Sequence, residues 1–171
     1  SPQPQGVLDL AKVCSLCNES VIRYQEGKYE RMGEPTEAAL KVLVEKIGVT
    51  EQPRSSDPAL ACSQANAQWS AQNPCQAILE FSRDRKSMSV LSGSTKNKLY
   101  VKGAPEKVLE RCTHIRVAGS KQKLTAANKT AILDTVAEMA SRPLRVLAMA
   151  VREDFTGDKD LETYKGGASK K

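Results

Sequence analysis

Aromatic residues are scarce in this chain, 4% of 171, with two Phe and one Trp. A flat surface for stacking a base must come from very few side chains, which argues against a broad platform for single-stranded nucleic acid. Histidine is rarer still: His114 stands alone. No run of 18 or more apolar residues occurs, so nothing here reads as a membrane-spanning helix. The N-terminal residues lack the basic start and apolar stretch of a secretory signal. Both familiar phosphate cradles, G-x-x-x-x-G-K-[ST] and G-x-G-x-x-G, are missing, and Gly93-Ser94-Thr95-Lys96 echoes the first only superficially. A Ser/His/Asp triad would have to use His114, which has no nucleophile motif beside it and reads as a surface residue or strand-end packer. No catalytic or metal-binding set is expected within the chain.

The five cysteines are an odd set without framework spacing, which fits a reducing compartment. Cys14-x-x-Cys17 has no second pair of ligands for zinc, so two thiols on a packed helix is the better reading.

What is present is ordinary globular composition, 40% apolar and 27% charged, enough for one domain with one core. The net charge of +6 favours polyanionic partners: nucleotides, nucleic acid or anionic membrane.

Residues 7–17 are apolar at Val7, Leu8, Leu10, Ala11, Val13, Cys14 and Cys17, the pattern of a well-buried helix ended by Asn18-Glu19-Ser20. A second helix starts at Glu34-Pro35-Thr36-Glu37, with Pro in the first turn and acidic residues where the helix dipole favours them. Leu40, Leu43, Val44 and Ile47 give it one apolar face, and Gly48 is its expected stop. Residues 51–58 read as a polar loop and 59–71 as a helix. Strands are expected over 76–81, 87–91 and around Leu99 and Val101, the last two joined as an antiparallel hairpin by a polar turn. Met88 and Val90 should face one way, and Ser87 and Ser89 the other. Pro105 opens a short helix carrying Val108, Leu109 and Cys112. Thr125 caps another helix, which Pro143 must stop. Residues 144–151 read as a buried strand. Elements mix without regular β-α-β alternation, so the predicted fold is α+β, an antiparallel sheet flanked by helices. The expected boundaries are 1–6 as a cut end or linker, 7–157 as the domain, and 158–171 as a mobile tail.

Two segments carry binding chemistry. Phe81-Ser82-Arg83-Asp84-Arg85-Lys86 sets a ring beside three cations, the two features a nucleotide needs together. Lys102-Gly103-Ala104-Pro105-Glu106 ends a strand with a lysine followed by a residue that has no side chain to block a ligand. On spacing alone, each also fits an ordinary surface turn.

The residues say more than their spacing. FSRDRKSMSV at 81–90 resembles the signature of the nucleotide-binding domain of sarco/endoplasmic-reticulum-type calcium ATPases. KGAPE at 102–106 resembles the family's adenine-site lysine motif. GEPTEAAL at 33–40 is similar to its helix start, and LRVLA at 144–148 to its arginine-bearing strand. All four occur in the family's order. The chain departs at Pro35, where a small residue is usual, at Val146, where Cys is common, and over much of 51–74. The resemblance implies that Phe81 stacks on adenine and that Glu37, with Thr36, faces its polar edge. It places Lys102 in the pocket lining, with Gly103 and Ala104 giving clearance. Arg83 and Arg145 would contact phosphates, Lys86 would sit near the mouth, and Leu147 would pack beside the base.

The family's phosphorylated Asp-Lys-Thr-Gly-Thr motif does not occur in the sequence. By resemblance, then, the chain binds ATP, with Mg2+ in the intact pump, and hands it to an Asp in a separate phosphorylation domain. Its expected partners are ATP and the phosphorylation and actuator domains of the same parent chain. The expected state is a monomer on the cytosolic face of the endoplasmic or sarcoplasmic reticulum, without nucleic acid and without membrane insertion by this segment. The competing expectation, raised by the charge alone, is a basic module for nucleic acid or acidic membrane.

Overall fold

The computed structural model describes residues 4–49, 53–93, 97–153 and 155. The expected tail over 158–171, the first residues of the loop at 51–58, and Ser94-Thr95-Lys96 lie outside the described residues. The chain runs α1 (Gln5–Leu16), β1 (Val21–Gln25), β2 (Lys28–Met32), α2 (Pro35–Ile47), α3 (Pro58–Ala61), α4 (Gln64–Gln72), β3 (Cys75–Ser82) and β4 (Ser87–Ser92). It continues through β5 (Lys98–Gly103), α5 (Pro105–Arg111), β6 (His114–Val117), β7 (Ser120–Lys123), α6 (Ala126–Ser141) and β8 (Ala148–Arg152). The fold is α+β with antiparallel sheets flanked by helices, as predicted. The main sheet has strand order β3-β4-β5-β8, and β1-β2 and β6-β7 are separate hairpins.

Local chemistry accounts for several of these elements. Pro35 occupies the first turn of α2 with Glu37 beside it, and Gly48 ends the helix at φ 73° with its N–H on the Val44 carbonyl. Thr125 caps α6 by accepting from the Asn128 N–H at 3.1 Å. The two small hairpins, which were not expected, turn at Glu26-Gly27 (φ 50° and 80°) and Ala118-Gly119 (φ 48° and 83°). Consecutive left-handed residues give the tight turn whose twist suits paired strands, and Gly supplies one of them without strain.

The core is built around α1. Val13 and Cys17 pack on Met88, Val90 and Tyr100 of the sheet. Ala11 and Cys14 pack on Val44 of α2 and Ala65 of α4. Cys14 and Cys17 are therefore buried free thiols, as the packed-helix reading has it. Burial pushes their pKa values up to about 11 and about 12.

Met88 and Val90 of β4 sit together in one core cluster. All six residues of the strand are buried, serines included. It is paired on both edges, by β3 and β5, at the centre of the sheet. The helix expected over 59–71 is two pieces. Glu45 of α2 accepts from the N–H groups of Ala65 and Asn66 at 3.0 and 2.9 Å, so a second helix start is satisfied by a distant carboxylate. The last strand begins at Ala148 rather than 144, and Leu144 is exposed.

Candidate functional site

The sheet register gathers the singled-out segments. Ser82 lies opposite Ser87, Ser87 opposite Gly103, and Gly103 opposite Ala148. This row closes one end of the sheet. Around it stand Phe81, the turn over 83–86, Lys102, Ala104 and Leu147.

A β-bulge decides which way Phe81 faces. The pairing of β3 with β4 shifts between Leu79 and Ser82, so β3 carries one extra residue there. Counting back from Ser82, Phe81 falls on the face of Met88 and Lys102; an unbroken strand would have put it on the opposite face, with Leu79. The ring is not in the core, being 63% exposed.

Lys102 shares that face and is only 6% exposed. Its ammonium donates to Glu37 Oε1 at 2.6 Å. A buried ammonium is costly without a counter-ion, and Glu37 in the first turn of α2 supplies one. Glu37 is itself held in place. Its Oε2 accepts from the Glu19 N–H at 3.1 Å, and its carbonyl accepts from Asn18 Nδ2 at 2.8 Å. Asn18 also donates to the Cys14 carbonyl at 3.1 Å, tying the end of α1 to the start of α2. Arg145, in the irregular segment before β8, donates from Nη1 to Thr36 Oγ1 at 3.1 Å. Lys102 and Arg145 thus reach adjacent residues of one helical turn and lie on the same side of the molecule.

The remaining predicted residues are less tightly joined. Arg83 is exposed on the turn and makes no ion pair among the described residues. Lys86 ends that turn at φ 47°, with Nζ 3.9 Å from Glu106. Leu147 is half-buried just ahead of β8. At Gly103, a Cβ would lie 2.5 Å from the Lys86 carbonyl oxygen and 2.6 Å from Ser87 Cβ. The missing side chain makes room for the neighbouring strand. Ala104 donates its N–H to the same Lys86 carbonyl at 2.9 Å.

Sequence reasoning missed three residues here. Asn18 and Glu19, read only as a helix stop, hold Glu37. Arg111 donates to Ser87 Oγ and to the Arg85 carbonyl at the turn. Nothing in the spacing of these residues indicates such contacts. Two small clefts lie elsewhere, one around Glu45, Arg54 and Gln64 and one around Ile22, Lys41 and Asn66.

An exposed ring on the face of a buried lysine, with guanidinium groups to either side, has the makings of a purine-and-phosphate site. A family model described as P-type ATPase, cytoplasmic domain N, matches residues 6–167. The chain belongs to this family. A P-type ATPase N domain has a nucleotide-binding role in a transport ATPase, working on the cytosolic side of a membrane. Among the described residues of this N domain, no helix is long and apolar enough to cross a membrane.

Proposed function

We propose that this N domain binds ATP at the end of the four-stranded sheet and positions it for phosphoryl transfer to an Asp in a separate domain of the parent chain. The observation that supports this best is the meeting of four distant segments: Phe81, Lys102 and Arg145 converge with Thr36 and Glu37 around one row of the sheet.

Each side chain then has a task suited to it. Phe81 offers a ring face to adenine. Lys102 and Glu37, already paired, present a polar edge beside it, with Thr36 next to them and Leu147 packing alongside. Arg145 spends one of its five N–H donors on Thr36 and keeps the rest for phosphate oxygens. Arg83 and Lys86 add charge from the turn. Gly103 and Ala104 keep that turn against the sheet. No group of three His, Cys, Asp or Glu side chains among the described residues is arranged to hold a metal. Mg2+ would accompany the nucleotide in the intact pump. The domain supplies positioning and charge, which is most of what phosphoryl transfer requires of a protein.

The finer reading is a calcium pump of the sarco/endoplasmic-reticulum type, acting as a monomer with 7–157 as the binding unit. It rests on the likeness of FSRDRKSMSV at 81–90 and KGAPE at 102–106. Titrating the chain with ATP by NMR should give saturable shifts around Phe81 and Lys102, with Kd of about 0.1–1 mM. Binding of single-stranded RNA that falls steeply with salt, with ATP having no effect, would replace this reading with the basic-module one. For the ion, the full-length parent pump in membrane vesicles should be phosphorylated by ATP in response to calcium. Phosphorylation driven by sodium instead would sink the calcium assignment.

A further inference from the structure

The turn over 83–86 carries two of the cations assigned to the phosphate tail, yet it is a poor anchor on its own. It is four residues long, sits at the end of a sheet, and closes with Lys86 at φ 47°, a left-handed conformation that a non-glycine residue adopts at a cost. Something must hold it. The Ala104 N–H holds one side, bonding the Lys86 carbonyl at 2.9 Å. Arg111, at the C-terminal end of α5, holds the other. Its Nη1 donates to Ser87 Oγ at 3.1 Å and its Nη2 to the Arg85 carbonyl at 3.3 Å. Arg85 in turn reaches back across the turn, donating to the Glu80 carbonyl at 2.6 Å. A planar guanidinium can bridge a hydroxyl and a carbonyl in this fixed way; an ammonium cannot hold both with the same geometry.

We propose that Arg111 is a positioning residue for the nucleotide's phosphates. Without touching ATP, it fixes the turn that presents Arg83 and Lys86. The proposal rests on the ATP-binding reading above and deepens it. The adenine end is built on Phe81, Lys102 and Glu37, none of which Arg111 hydrogen-bonds, so the two halves of the nucleotide should respond differently to its loss.

The test measures binding of ATP and of adenosine to the chain and to its Arg111→Ala and Arg111→Lys variants, with thermal unfolding followed in parallel. Arg111→Ala should weaken ATP by ~5- to 10-fold and leave adenosine within about twofold. Arg111→Lys keeps the charge but not the fork, so it should recover only part of the ATP affinity. In NMR spectra, amide shifts caused by the substitution should concentrate over 82–87. Unchanged ATP affinity in Arg111→Ala overturns the proposal. An equal loss for ATP and adenosine, tracking a lower Tm, also overturns it, since that is the mark of a merely structural residue. If Arg111→Ala does not fold, Ser87→Ala and Arg111→Lys carry the same comparison. Failure of the unsubstituted chain to bind ATP would instead strike at the ATP-binding reading itself.

Discussion

At one end of the four-stranded sheet, the Lys102–Glu37 pair is largely shut away from water, its side chains 7% and 18% exposed. At the other end, where Leu99 pairs with Arg152, Arg116 bridges Asp9 of α1 and Glu153, with all three side chains partly in water. Both clusters tie helices to the sheet and both join opposite charges, but their energetic stakes differ. Water and salt screen the second cluster, so losing it costs little. In the first, removing one partner strands a charge where solvent cannot reach it. The buried pair lies at the same end of the sheet as an exposed aromatic ring, and that conjunction is why the proposed site is put there.

The most direct way to break this contrast is Lys102→Ala. It should cost about 3 kcal/mol in denaturant unfolding, because Glu37 is left without its ammonium. ATP binding should fall with it by more than about tenfold. A cost no larger than that at Arg116 would mean that the pair is not effectively buried.

Phe81→Ala sharpens the same contrast by separating binding from stability. Its ring is already exposed, so stability should move by less than about 0.5 kcal/mol. ATP binding should still lose ~1–3 kcal/mol. A stability loss comparable to the binding loss would assign the ring to the core instead.

Arg116→Ala tests the far end. We expect about 1 kcal/mol of destabilisation, shrinking as salt is added, and an unchanged ATP titration. An effect on ATP would show that the two ends are coupled through α1.

A further effect appears only at alkaline pH and concerns α1, which lies between the two ends. Cys14 and Cys17 have folded pKa values raised from 9.0 to about 11 and about 12. The unfolded chain ionises first, so the stability contributed by these neutral thiols is full below pH 9. It is lost progressively as pH rises toward 11–12. The slope of stability against pH in that window should flatten in a Cys14→Ala, Cys17→Ala double variant.

Where side chains answer to their sequence neighbours, the fold was legible in advance. Pro35 with Gly48 bounded α2, Thr125 opened α6, and the run of apolar residues in α1 marked a helix buried on two sides. Glu26-Gly27 and Ala118-Gly119 were equally local signals, and the two hairpins they form were overlooked. The four segments of the candidate site were picked out from residue identity and resemblance, since neither lysine nor arginine spacing singles them out. Less was legible where a partner comes from afar. The break between α3 and α4 depends on Glu45, and the burial of Met88 and Val90 in β4 depends on Val13 and Cys17, some seventy residues earlier. The tight space at Gly103 belongs to Ser87, a residue sixteen positions earlier.

The sequence by itself determined which residues could cap, turn, bury or carry charge, since those properties are set by side-chain chemistry and short-range backbone geometry. The tertiary structure alone decided which of them meet. It took a register shift in β3 to bring the Phe81 ring to the face of Lys102. It took the packing of α2 against α1 to set Glu37 within 2.6 Å of that ammonium. Both outcomes depend on contacts between segments far apart in the chain, and no local pattern records them.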